Sequence, residues 1–178
     1  MRLFIALQPD PAFRAALSVL QERLRAAGVA GQYLEPSNLH LTLAFVGAWQ
    51  EDITAWLPPV TRPFPLVLSR PGVFPKAKVL WAGVEPSEAL ETLAGEVRRR
   101  LTDAAIPFDP KCFVPHITLA RKPAVPDDAV LAGVEVPPAS MTVREVCLYS
   151  SERGENGMVY TVIGRSGTTG REDRPGML

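Results

Sequence analysis

Apolar residues along the chain follow two periods, one for strands and one for helices, and the same order of periods occurs twice. Leu3-Phe4-Ile5-Ala6-Leu7 is a short apolar run that reads as a buried strand. Asp10 then supplies a helix N-cap, and Pro11 fits the first helical position, where its missing N–H costs nothing. Phe13, Leu17, Leu20 and Leu24 recur at helical spacing, and Gly28 stops the helix. Val79-Leu80-Trp81-Ala82-Gly83-Val84 is the counterpart of the first run, with Ala82 aligned on Ala6. Ser87 can cap a second helix carrying Leu90, Leu93, Val97 and Leu101, which must end before Pro107. Each helix leads through a proline-containing loop to a strand that alternates polar and aliphatic residues. The first strand reads His40-Leu41-Thr42-Leu43-Ala44 and the second His116-Ile117-Thr118-Leu119-Ala120.

Further strand pattern follows each of these. Phe64 to Leu68, with Val73 leading on to Trp81, predicts a hairpin. Met141 to Tyr149 and Met158 to Ile163, separated by residues 151–157, predict its equivalent. Connections of hairpin type are as frequent as crossovers. The expected class is therefore α+β: two similar lobes related by a pseudo-twofold, each a mainly antiparallel sheet with helices on its outer face, and a cleft between them. Residues 1–165 form one such domain, an internal repeat of about 76 residues, and the Gly-rich stretch 166–178 reads as a disordered tail.

Composition narrows the partners. The formal net charge is zero, which disfavours binding along duplex DNA through bulk charge but leaves room for a local basic pocket. Two cysteines, Cys112 and Cys147, give no disulfide framework and predict reduced thiols in a cytoplasmic protein. The N-terminal apolar run is too short for a signal segment, and no stretch reaches the length of a membrane span. A monomer without cofactor or metal is expected, since two histidines with no acidic cluster near them do not make a metal site.

Those two histidines, His40 and His116, are the only ones in the chain. On a strand, His40, Thr42 and Ala44 share one face, and Leu41, Leu43 and Phe45 the other; the second copy repeats this. The aliphatic face packs inward and the His/Thr face is free to line a cleft, with the small Ala leaving room. Two imidazoles flanking one phosphate suit phosphoester cleavage. One takes a proton from the attacking oxygen and the other gives one to the leaving oxygen. Thr42 and Thr118 can donate to non-bridging oxygens. Arg121 adds a positive charge for the transition state, although strict alternation puts it on the Leu119 face, so it reaches the cleft only where the strand ends or twists.

These residues carry a family resemblance. The chain resembles the 2H phosphoesterase superfamily, in particular its RNA 2′,3′-cyclic phosphodiesterase, 2′-5′ RNA ligase-like branch. The resemblance lies in Arg2-Leu3-Phe4-Ile5-Ala6, in residues 38–47 around the first motif, and in Pro115-His116-Ile117-Thr118-Leu119-Ala120-Arg121; residues 79–84 and 148–151 also fit. It implies a metal-independent site that opens a terminal 2′,3′-cyclic phosphate of RNA to a 2′-phosphate. His40 is then the proton donor to the 3′-oxygen, His116 the proton acceptor from water, and Thr42, Thr118 and Arg121 the phosphate ligands. Run in reverse with a 5′-hydroxyl RNA, the site gives 2′-5′ ligation. Tyr33 stands where the family often has Trp, a change that touches loop packing or base stacking.

Two alternatives stand beside this reading. One keeps the chemistry for another small cyclic phosphodiester or a 2′-5′ oligonucleotide; the other is a non-catalytic protein that binds RNA ends. Phe113, Tyr149 and Tyr160 are candidates for base stacking, but core packing is the preferred reading of each. Lys76 and Lys78 read as solvated turn residues rather than RNA contacts. Arg98-Arg99-Arg100 reads as a solvated helix face, Cys112 as no nucleophile, and Asp127-Asp128 as an isolated pair in a proline-rich loop.

Overall fold

The computed structural model describes residues 1–167. Their elements run β1 (Arg2–Leu7), α1 (Pro11–Ala26), β2 (Ala30–Tyr33), β3 (Leu41–Ala48), β4 (Phe64–Phe74), β5 (Val79–Val84), α2 (Glu88–Asp103), β6 (Ile117–Ala124), α3 (Asp128–Gly133), β7 (Ser140–Val143), β8 (Cys147–Gly154) and β9 (Gly157–Arg165). Both long helices begin as the sequence predicts. Asp10 Oδ1 accepts from the Phe13 N–H at 2.8 Å, and Ser87 Oγ accepts from the Leu90 N–H at 3.1 Å. Gly28 ends α1 with φ +92°, and Ala105 plays the same part after α2 with φ +56°.

The strands form an α+β sheet in the order β7-β4-β5-β6-β3-β1-β8-β9, with β2 added on β6. Every pair is antiparallel. The two motif strands, β6 and β3, lie side by side at the centre. Each is flanked by the strand that opens its own half, β5 or β1. The helices pack on one face of this sheet. Phe13, Leu17, Leu20 and Leu24 of α1 and Leu90, Leu93, Val97 and Leu101 of α2 join Leu3, Ile5, Leu41, Leu43, Leu80, Ile117 and Leu119 in one continuous core. A smaller cluster of Phe4, Ala6, Cys147 and Tyr149, with Tyr160 and Val162 against it, lies on the other side of β1.

Several expectations are corrected in detail. Ala6 stands opposite Thr42, whereas Trp81 stands opposite Thr118, so Trp81 and not Ala82 is the equivalent of Ala6. The first hairpin turns at 75–78 rather than before Val73, because β4 continues unbroken to Phe74. The second hairpin pairs β8 with β9 and turns only at 155–156; Met141 belongs instead to β7, which pairs with β4. Asp127 is no isolated loop acid: its Oδ1 accepts from the Ala129 N–H at 3.0 Å and caps α3. Ser166 belongs to the fold, since it is buried and bonds Val146 through both its backbone and its hydroxyl. The rest of the expected tail, residues 168–178, lies outside the described residues. Both cysteines are free, Cys112 exposed and Cys147 buried. Among the described residues no helix is long and apolar enough to cross a membrane.

Candidate functional site

The two motif strands pair directly at one residue pair, Leu41 opposite Ile117. In an antiparallel ladder that register brings His40 alongside Thr118 and Thr42 alongside His116. Directly opposed residues project from the same face. The four polar side chains of the two motifs therefore share the face opposite the helices, while Leu41 and Ile117 are buried in the core beneath them.

Beyond each Thr the strand carries one extra residue. The register of β3 on β1 passes from Thr42 opposite Ala6 to Ala44 opposite Ile5, and Leu43 is left over. On β5, the register of β6 passes from Thr118 opposite Trp81 to Ala120 opposite Leu80, and Leu119 is left over. A bulge of this kind resets the alternation of faces. Ala44 and Ala120 thus turn into the core, at 1% and 0% exposure, instead of lining the cleft as the sequence suggests. Phe45 and Arg121 come to the histidine side in their place, and both are exposed. The bulge removes the difficulty with Arg121, which stands opposite Val79 and so shares the face of Thr118 and Trp81. It also corrects the placement of Phe45 on the aliphatic face.

Each bulge is held from the helix of the other half. Gln21 of α1, buried at 5% exposure, donates from Nε2 to the Leu119 carbonyl at 3.0 Å and to the Leu34 carbonyl at 3.0 Å. Arg98 of α2 donates from Nε to the Leu43 carbonyl at 3.2 Å and from a terminal nitrogen to the Lys111 carbonyl at 2.7 Å. Sequence reasoning passes over Gln21 and places Arg98 on a solvated face. The only available signal is a polar residue interrupting the inward side of α1. Arg99 and Arg100 do pair along the helix, with Glu96 and, for Arg99, with Asp103 as well.

The histidines are oriented identically. His40 Nδ1 lies 2.7 Å from the Asn38 carbonyl, and His116 Nδ1 lies 2.7 Å from the Val114 carbonyl. A carbonyl oxygen only accepts, so Nδ1 carries the proton in both rings and Nε2 is left for chemistry. Their surroundings differ. His40 sits against Phe4 (centroids 4.6 Å apart) and Tyr149 (5.7 Å), with Tyr160 edge-on at 5.2 Å. Burial, followed by the charges of Arg121 and His116, lowers its pKa to about 4, against the opposing pull of the Asn38 carbonyl. His116 meets Phe74 edge-on at 5.0 Å, and Phe74 in turn packs on Trp81 at 5.3 Å. Trp81 lies over Gly72 so closely that a Cβ there would clash with the indole.

Tyr149 is 3% exposed and stacked on Phe4, which makes it core. Tyr160 and Phe113 are half-buried. The Tyr33 hydroxyl donates to the Val29 carbonyl at 2.7 Å, which is loop packing. A hollow of about 130 Å³ opens beside Thr42 and His116, bounded also by Phe45, Lys111, Cys112 and Phe113. A separate surface hollow of about 640 Å³ lies between residues 58–64 and α2 and contains neither histidine. Among the described residues no three His, Cys, Asp or Glu side chains converge to hold a metal.

Residues 9–155 match the family model of the 2′-5′ RNA ligase superfamily. The chain is 31% identical over 175 residues to the RNA 2′,3′-cyclic phosphodiesterase of Thermotoga maritima, covering 92% of this chain and 93% of that protein. Among solved structures it resembles TT0787 of Thermus thermophilus, with a TM-score of 0.72 and 32% identity, covering 93% of this chain and 96% of that one. It also resembles LigT of E. coli in complex with 3′-AMP, with a TM-score of 0.73 and 27% identity, over 92% of this chain and 95% of the other. With two His-x-Thr strands joined at the centre of one sheet and a family match over most of its length, this chain belongs to the 2′-5′ RNA ligase superfamily of 2H phosphoesterases.

Proposed function

We propose that this protein is an RNA 2′,3′-cyclic phosphodiesterase that opens a terminal cyclic phosphate to a 2′-phosphate by two-histidine acid–base catalysis. The observation that carries the reading is the matched pair of Nδ1-to-carbonyl contacts, which leaves one free Nε2 on each side of a shared face. His116 Nε2 takes a proton from water as its oxygen attacks phosphorus. The P–O3′ bond breaks, and His40 Nε2–H delivers a proton to O3′. Thr42 and Thr118 donate to the non-bridging oxygens, and Arg121 balances the charge that builds on them.

His40 enters this cycle neutral at pH 7, because its pKa in the free protein is about 4. It acts as donor only once protonated. A phosphate anion seated against Nε2 supplies the opposite charge that raises the pKa and brings the proton in with the substrate. With a 5′-hydroxyl RNA in place of water as the attacking nucleophile, the same ring opening gives 2′-5′ ligation at the same groups. The protein acts as a cytoplasmic monomer on RNA ends and nucleotides. The relative with 3′-AMP bound supports nucleotide recognition by this fold.

Product analysis tests the reading. Incubated with RNA ending in a 2′,3′-cyclic phosphate, in EDTA, the protein yields a 2′-phosphate. A 3′-phosphate, or turnover abolished by EDTA, overturns it.

A further inference from the structure

The two halves close differently over their bulges. Leu34 precedes His40 by six residues, and its N–H donates to the Leu119 carbonyl at 2.9 Å. Beside it, β2 pairs with β6, Tyr33 opposite Ala120 and Gln32 opposite Arg121. Pro110 precedes His116 by the same six residues and has no N–H to give the Leu43 carbonyl. Pro107 removes a further donor just upstream. The Asp109 N–H still donates to the Phe45 carbonyl at 2.8 Å. Among the described residues, however, no strand pairs with β3 on that side beyond Leu41. The segment 109–114 therefore stands off β3, and the hollow of about 130 Å³ beside His116 and Thr42 is the gap between them.

Register orders the shared face from end to end. With Leu41 opposite Ile117 in antiparallel strands, Arg121 lies beyond the His40–Thr118 pair and Phe45 beyond the Thr42–His116 pair. In an in-line displacement the attacking and leaving oxygens stand on opposite sides of phosphorus. O3′ leaves toward His40, so the nucleophile arrives from the end of His116 and Phe45, where the hollow opens. Hydrolysis needs one water there, and the hollow has the volume of about four. Phe45, at 37% exposure, and the half-buried Phe113 give it aromatic walls. The Arg2 guanidinium lies 5.4 Å from the Phe45 ring centroid, and the exposed Lys111, paired with Asp109 at 3.6 Å, adds a second cation.

We propose that this hollow is an acceptor subsite, which seats the 5′-terminal nucleoside of an RNA nucleophile with its O5′ at His116 and its base on Phe45. The proposal rests on the cyclic phosphodiesterase reading and makes the protein a transferase as well as a hydrolase. His116 Nε2 takes the O5′ proton as O5′ bonds to phosphorus. The P–O3′ bond breaks, and His40 Nε2–H protonates O3′. The product is a 2′-5′ phosphodiester with a free 3′-hydroxyl.

The test incubates RNA ending in a 2′,3′-cyclic phosphate with increasing 5′-hydroxyl trinucleotide and counts ligated and hydrolysed products in one reaction. Their ratio is insensitive to a general loss of activity. In wild type the ligation rate saturates with acceptor. At subsaturating acceptor the ratio falls about tenfold in Phe45→Ala, the scale of one lost base–aromatic stack. Hydrolysis without ligation, a ligation rate that stays linear in acceptor, or a ratio unchanged in Phe45→Ala overturns the subsite. The absence of any ring opening overturns the catalytic reading instead, and Cys112 then decides the subsite without turnover. Cys112 is exposed and bounds the hollow, whereas Cys147 is buried and burial pushes its thiol up to about 11, so alkylation selects Cys112. A 5′-hydroxyl trinucleotide that slows N-ethylmaleimide labelling of Cys112 several-fold supports the subsite, and an unchanged rate rejects it.

Discussion

The carbonyl that orients His40 belongs to Asn38, and Asn38 is itself tied down. Its Nδ2 donates to the Met158 carbonyl at 2.8 Å, and its Oδ1 accepts from the Tyr160 N–H at 3.4 Å, so β9 holds the residue that holds the ring. Val114 occupies the equivalent place before His116, is 52% exposed and offers only its backbone to the ring. The same contact is braced in one half and unbraced in the other. Replacing Asn38 with Ala therefore lowers kcat by about 10- to 100-fold with little change in KM, the size expected for a misplaced catalytic group. Val114→Ala serves as the comparison and changes kcat less than about threefold. Nitrogen NMR of the His40 ring reads the tautomer directly, and a variant that keeps Nδ1–H fully populated with unchanged kcat refutes the bracing role.

Burial gives His40 a distinctive titration. In the free protein it protonates near pH 4, well below an unfolded histidine at about 6.5. Between these values the unfolded chain binds more protons than the native one, so stability rises with pH across that window and falls as the solution is acidified through it. A His40→Gln variant loses this contribution, and its melting temperature depends less on pH between about 4 and 6.5. Adding inorganic phosphate to the wild type raises the His40 pKa, measurable by proton NMR. A free-protein value near 6.5, or one that phosphate leaves unmoved, contradicts the electrostatics of the site.

The proposed mechanism makes the two histidines one unit. His40→Asn and His116→Asn each reduce turnover of a 2′,3′-cyclic nucleotide by at least about 100-fold. The double variant is little slower than either single one, since either loss already breaks the proton path. Circular dichroism and melting curves confirm that each variant folds. A single variant with near-wild-type turnover eliminates the two-histidine mechanism.

Gln21 tests whether the bulge aims Arg121. Gln21→Leu removes one partner from each of two carbonyls beneath β6, at a cost of about 1–3 kcal/mol. If the Leu119 bulge presents Arg121 to the phosphate, the variant also raises KM several-fold, in the direction of Arg121→Ala. A drop in melting temperature with no change in KM assigns Gln21 to stability alone.

Much of this molecule is legible in order and little of it in facing. The two capped helices, the apolar runs, the repeat and the paired His-x-Thr strands follow from local periodicity, because caps and amphipathic spacing act within a few residues. Arg121 shows where such reasoning stops. Counting alternate residues from His116 puts it on the buried side, while the bulge at Leu119 turns it outward. A bulge depends on a partner strand and on Gln21 of a helix 98 residues away in sequence, so no local pattern encodes it. The same count misplaces Phe45 for the same reason. The chain by itself therefore determined the repeat, the elements and the reactive residue types. The tertiary structure decided which side chains share the face, which nitrogen of each ring is free and why the two histidines differ. Those properties depend on register, long-range hydrogen bonds and burial, which exist only when distant segments pack.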